Sequence, residues 1–183
     1  MDYTPYKFKK WVKQDKLDWK LISINPRSIS VLNDKIQQND SYLNWNGLSI
    51  NQNGPIILEK HIDKIQWDLL SRNPNAISIL EKNLDKINWD ILSNNANAIE
   101  LLEKNQNKIN WIELSNNPNA ISLLNNNIHK IDWFWLSENS NAIKLLEQNQ
   151  DKINWPSLCL NPNAISLIKK NPDKISWDNL SLN

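Results

Sequence analysis

Glycine is almost missing from this chain, with two residues, Gly47 and Gly54, in 183. That scarcity leaves no glycine-rich phosphate loop. A single cysteine, Cys159, excludes an internal disulfide framework and fits a reducing compartment. No stretch approaches the roughly eighteen apolar residues that span a bilayer. The opening MDYTPYKFKKWVKQDK has no apolar run of signal-peptide length. The expected setting is therefore cytosol, nucleus or a virus particle, with neither secretion nor membrane insertion. Charge of one sign is lacking too: 21 Lys plus Arg face 20 Asp plus Glu. No global field draws the chain to nucleic acid or to an anionic membrane.

What is present in excess is Asn, Lys and Ile, a bias that AT-rich codons produce, and a repeat. Trp45, Trp67, Trp89, Trp111, Trp133, Trp155 and Trp177 stand 22 residues apart. With Trp as slot 1, the shared phrase is W-x-x-L-S-x-N-P-N-A-I-x-L-L-E-K-N-x-D-K-I-x. Leu fills slot 4 from Leu48 to Leu180, and Asn fills slot 7 from Asn51 to Asn183. An earlier copy begins at Trp19 and needs 26 residues to reach Trp45, which places a four-residue insertion near Gln37–Tyr42.

Each unit reads as two short helices. In the segment from Asn73 to Asn83, Asn73 is a good N-cap and Pro74 suits the first helical position. Ala76, Ile77, Ile79 and Leu80 gather on one face, and Asn83 is expected to close the helix in the left-handed conformation. The other helix carries Trp and Leu three apart. Pro156 favours its cap at slot 22 (Asn88, Asn110, Asp132, Asn154, Ser176), because proline then falls in the first turn. The Asp-Lys-Ile run becomes a tight connector. Helices this short cannot stand alone, so each unit must bury its apolar face against the next.

The expected fold is an all-α solenoid of about eight two-helix repeats, forming one repeat domain over 1–183. Its parts are an N-terminal cap at 1–18, a divergent repeat with the insertion at 19–44, six 22-residue repeats at 45–176 and a C-terminal cap at 177–183. Thr4 and Pro5 open a degenerate first helix carrying Phe8, Trp11 and Val12. The alternative is a leucine-rich-repeat-like horseshoe, which needs a strand spelled L-x-x-L-x-L. Slot 6 is Ile50, Arg72, Asn94, Asn116, Glu138 and Leu160, so the third leucine of that strand is usually missing.

The phrase LSxNPNAIxLLEKNxDKIxW resembles tandem short repeats in uncharacterised proteins of giant DNA viruses, over about Asp15 to Asn183. The resemblance implies a viral repeat protein, either a virion component or a factor acting in the host cytoplasm. It brings no activity with it. Gln52-Asn53-Gly54-Pro55 departs from Pro-Asn-Ala-Ile, so the array is not uniform.

Catalysis needs converging acid, base, nucleophile or metal ligand. His61 and His129 lie three repeats apart and read as surface substitutions. Cys159 occupies a slot that is Ser in neighbouring units and reads as structural. No Cys/His metal spacing is present. No catalytic, cofactor-binding or metal residue, no cofactor and no small-molecule ligand is expected. The Glu ladder at slot 15 reads as a solvated face. The Lys ladder at slot 20, including Lys64, Lys86, Lys130, Lys152 and Lys174, could track phosphates. Its neighbouring acids neutralise it, so nucleic acid is not the expected partner.

DWFWLS, residues 132–137, remains. Trp133 is in register with the other slot-1 tryptophans and reads as core. Phe134 and Trp135 fill slots that are often polar elsewhere, and Ile112 shares slot 2 with Phe134 in the preceding unit. Ile112, Phe134 and Trp135 are thus a candidate protein contact. The competing reading makes Trp135 a local filler, as Leu69 and Ile91 can be. The expected function is a non-enzymatic scaffold that binds another protein. The alternative is a structural component of a large DNA virus particle.

Overall fold

The structure, a computed structural model, describes residues 8–37 and 43–183. Among the described residues every regular element is helical and no strand occurs. The fold is an all-α solenoid of short helices; the Trp-x-x-Leu segments that a horseshoe would make into strands are helical turns. The chain divides into two compact units, Met1–Asn88 and Trp89–Asn183, with the boundary between one repeat's slot 22 and the next repeat's slot 1.

In the first unit the helices are α1 (Trp19–Ile24), α2 (Ile29–Gln37), α3 (Trp45–Ile50), α4 (Pro55–Leu58), α5 (Trp67–Arg72) and α6 (Ile77–Glu81). The Trp-bearing helices pack in succession, α1 on α3 and α3 on α5. In the second unit they are α7 (Trp89–Ser93), α8 (Ile99–Lys104), α9 (Trp111–Asn116), α10 (Ile121–Asn125), α11 (Trp133–Glu138), α12 (Ile143–Gln148), α13 (Trp155–Leu158), α14 (Ile165–Lys169) and α15 (Trp177–Leu180). There α7 packs on α9, α9 on α11 and α11 on α13.

The Trp helices begin where Pro156 indicated. Asp18, Asn44, Asn110, Asp132 and Asn154 each cap one, accepting backbone N–H bonds from its first turn. Pro156 sits in the first turn of α13. The Asp-Lys-Ile connector contains a single 3-10 turn in several repeats, for example Ile128–Lys130 and Gln150–Lys152.

The other helix differs from expectation. It is five residues long at Ile77–Glu81, not nine, and Asn73 is the C-cap of α5 rather than an N-cap. The cause is a competing set of partners for the asparagine amide. Asn73 Oδ1 accepts from Asn75 N–H at 3.0 Å, closing a turn on itself. Its Nδ2 donates to Ser49 O at 3.0 Å and Asn51 O at 2.8 Å, both one repeat back. The same ladder joins Asn117 to Ser93 and Asn95, Asn139 to Ser115 and Asn117, and Asn161 to Ser137 and Asn139. Slot 17 differs as well. Asn105, Asn127 and Asn149 have φ between −131° and −134°, so the helix does not end left-handed. Their Nδ2 groups instead donate to the carbonyl four residues back, as Asn105 does to Leu101 O at 2.8 Å. That bond satisfies a carbonyl the helix end leaves open.

The core is built from slots 4, 10, 13 and 14. Leu70, Leu92, Leu114 and Leu136 are fully buried, as are Ala76, Ala98, Ala120 and Ala142. Each buried leucine contributes on the order of 1.5–3 kcal/mol. Slots 5 and 7 are buried and polar. Ser71 Oγ donates to Trp67 O at 2.8 Å and accepts from Asn88 N–H at 3.1 Å, tying one turn to the next. Among the described residues no buried side-chain nitrogen or oxygen lacks a partner.

Of the slot-1 tryptophans only Trp19, in the divergent first copy, is buried among the described residues. Trp45, Trp67, Trp89, Trp111, Trp133 and Trp155 are half-buried, and Trp177 is exposed. Each stands at the first helical position, so its ring lies over the turn before the helix rather than in the leucine layer. A slot-20 lysine covers it in the second unit: Lys130 lies 4.5 Å from the Trp111 ring centre, Lys152 5.2 Å from Trp133, and Lys174 4.7 Å from Trp155. At the start of the chain, Thr4 and Pro5 lie outside the described residues, as does most of the Gln37–Tyr42 insertion. Phe8 to Val12, expected in a helix, form a turn with Trp11 exposed, because Phe8 turns in to meet Trp19 edge-on at 6.0 Å.

Candidate functional site

The Trp helices turn slots 4 and 5 inward and slot 2 outward, as 100° per residue dictates, while slot 3 varies from buried Gly47 and Ser157 to exposed Trp135. In α7 the outer slots are Asp90 and the half-buried Ile91, followed by Asn94 just past the helix end. This outer face carries its own polar cross-links. The slot-22 amide of one turn reaches a slot-2 carboxylate: Asn88 Nδ2 donates to Asp68 Oδ1 at 2.8 Å, and Asn110 Nδ2 to Asp90 Oδ1 at 2.9 Å. A second link runs from slot 6 to slot 3, where Asn94 Nδ2 donates to Glu113 Oε2 at 3.3 Å.

Ile112, Phe134 and Trp135 occupy the acceptor slots of those links in the next turns. Ile112 and Phe134 stand at slot 2, opposite Asp132 and Asn154, and Trp135 stands at slot 3, opposite Asn116. None of the three can accept an amide hydrogen bond. All remain exposed, Ile112 at 52%, Phe134 at 46% and Trp135 at 37%. Phe134 and Trp135 meet edge-on at 5.2 Å. Ile112 lies on α9 and the aromatic pair on α11, which pack directly together. Trp135 shares its slot with the half-buried Leu69 and Ile91 and keeps 37% of its own surface exposed. The three residues form an apolar patch where adjoining repeats place hydrogen bonds.

A second set of exposed apolar residues, absent from the sequence reading, lies at slots 3 and 6 of the first unit. Leu21 and Ile24 on α1 are joined by Ile50 on α3. The two helices approach closely at Gly47, where a Cβ would lie 2.8 Å from Ser23 Cβ. The signal was available at slot 6, where Ile24 and Ile50 stand in place of the Arg72, Asn94, Asn116 and Glu138 of the next four repeats.

The remaining candidates are placed plainly. Lys64 and Lys86 pair with the preceding aspartates at 3.2 and 3.3 Å, in exposed contacts of little energetic weight. His61 packs against Trp45 with ring centres 5.3 Å apart, and His129 is exposed. Cys159 is fully buried. A shallow groove of about 360 Å³ between α10 and α12 is lined by Ile121, Ser122, Asn125, Lys144, Leu145 and Gln148. Among the described residues no group of three His, Cys, Asp or Glu is placed to hold a metal ion. Nor is any helix long and apolar enough to cross a membrane.

Fold and site define a short-helix repeat protein with an apolar patch on the outer face of its Trp helices. No protein-family model, no curated protein and no solved structure matches the chain.

Proposed function

We propose that the chain is a non-enzymatic repeat scaffold that binds another protein through Ile112, Phe134 and Trp135. One observation carries this reading: three large apolar side chains stand exposed at the slots where neighbouring repeats make amide–carboxylate bonds. Exposing them is unfavourable in water, and a partner that covers them recovers the cost. Phenylalanine and tryptophan are also the side chains that dominate contact energetics when enclosed. The repeat frame supports the role, because its slots 4, 5, 7 and 10 fix the backbone while slots 2 and 3 vary freely.

The test is a pull-down comparing the parent chain with the Phe134→Ala, Trp135→Ala double variant. A partner recovered by the parent and lost by the variant is the expected outcome. Equal recovery from both removes the patch as a contact site.

The resemblance of the repeat phrase to giant-virus repeat proteins favours a second reading, a structural component of a large DNA virus particle. Mass spectrometry of purified particles separates the two, since abundant copies favour the structural role.

A further inference from the structure

The partner's chemistry is written in the charges around the patch. In the second unit, the Trp helices and their caps carry Asp90, Glu113, Asp132, Glu138 and Asp178 and no basic residue. Every lysine of that unit lies between slots 12 and 20, on the other helix and the connector, and the unit has no arginine. The three lysines that reach back to Trp helices lie over the slot-1 rings. Slot 1 points 100° or more around the helix from slots 2 and 3, so those ammonium groups do not face the patch.

The acids bracket the apolar residues. Glu113 follows Ile112, Asp132 caps the helix that carries Phe134 and Trp135, and Glu138 lies one turn beyond Phe134 on the same face. The first unit is different: Lys20 follows Asp18 at the start of α1, and Asp68 and Arg72 share α5. Single-sign polarity is thus a property of the face that bears the aromatic pair. The chain as a whole is near neutral, at +1.

Resting on the contact role proposed above, we propose that this face takes a cationic protein segment in which a large apolar side chain is flanked by lysine or arginine. The apolar side chain covers Phe134 and Trp135, and the flanking cations meet Glu113, Asp132 and Glu138. An acidic segment is repelled, and nucleic acid is excluded by the same carboxylates.

A random dodecapeptide phage library panned on the full chain tests this, with depletion on the Phe134→Ala, Trp135→Ala variant to keep only patch-dependent binders. The expected consensus pairs Lys or Arg with Leu, Phe or Trp. A synthetic peptide of that consensus should lose affinity about tenfold on Glu113→Gln, Glu138→Gln, and further as salt rises. Both glutamines keep an acceptor oxygen, and circular dichroism of each variant confirms that it is folded. Patch-dependent peptides that are neutral or acidic, or indifferent to the two glutamines, overturn the cationic partner and leave the contact role standing. A library yielding no patch-dependent binder overturns both.

Discussion

Asn139 reaches back one repeat to Asn117, its Nδ2 donating to the Asn117 carbonyl at 3.0 Å and to the Ser115 carbonyl at 3.1 Å. The same side chain accepts the Asn141 N–H at 3.0 Å. Both donors and one acceptor of the amide are therefore spent on backbone in a buried setting. Replacing Asn139 by Ala leaves two carbonyls and one N–H without that partner, at a cost of about 2–4 kcal/mol. Asn139→Asp is expected to cost more, since a carboxylate faces two carbonyl oxygens. Urea denaturation read by circular dichroism measures both. An Asn139→Asp midpoint equal to the parent's would contradict the ladder.

The serine one layer inward makes a second, weaker bridge. Ser137 Oγ donates to Trp133 O at 2.6 Å and accepts Asn154 N–H at 3.1 Å. One repeat later the slot is Cys159, whose thiol is a poor donor and a poor acceptor. Ser137→Ala should lower stability by about 1–3 kcal/mol, and Cys159→Ser should raise it by about 0.5–1.5 kcal/mol. The two midpoints moving in opposite directions is the signature; a Cys159→Ser variant less stable than the parent would count against it.

Consensus does not stabilise everywhere. Slot 10 is alanine at Ala76, Ala98, Ala120, Ala142 and Ala164, each fully buried. At the same slot, Gly54 lies so close to α3 that a Cβ would stand 1.9 Å from Leu48 O and 2.9 Å from Asn51 O. Gly54→Ala, the repeat-consensus change, should therefore destabilise the chain by roughly 2 kcal/mol or more. A thermal melt suffices to check it.

Periodicity made the two-helix unit readable, because Trp and Leu recur at fixed slots and Pro156 leaves one place for the helix start. The asparagine ladder was not legible, because Asn before Pro is also a good helix cap and local preference cannot see a carbonyl 22 residues away. Its signal lay in slot 7, a polar position filled by Asn in every repeat. Trp133 reads as core by register, yet register says only that every repeat treats it alike. Lys130 over Trp111 shows how they are treated. Ile112 and Phe134 could be found as departures from a mostly polar slot 2, and Trp135 as the largest side chain at slot 3, while the hydrogen bonds of the adjoining repeats appear only once the turns are stacked.

Lysines at one slot should differ in weight. Lys130 lies 4.5 Å over the Trp111 ring, whereas Lys86 pairs only with exposed Asp85 among the contacts resolved at its ammonium. Lys130→Gln is expected to cost about 0.5–1 kcal/mol. Lys86→Gln should cost little, as exposed ion pairs do. The comparison needs both variants unfolded in the same buffer, and equal losses would remove the stacking contribution.

The patch itself gives the sharpest separation of stability from contact. Glu113 accepts the Asn94 amide across α7 and α9, and Trp135 holds the corresponding slot opposite Asn116. Trp135→Glu therefore rebuilds the polar link that the adjoining repeat already makes. Because Trp135 is 37% exposed and the new carboxylate has an amide to meet, the loss of stability should stay at about 1–2 kcal/mol. Partner recovery should nevertheless fall, since the largest apolar surface of the patch is gone and its acidity has increased. A core-filling tryptophan behaves differently, because its loss opens a cavity costing about 3–5 kcal/mol. Chemical denaturation and the pull-down, run on the same preparation, decide between these outcomes: a core-sized loss of stability assigns Trp135 to packing, and a small loss with lost recovery assigns it to contact.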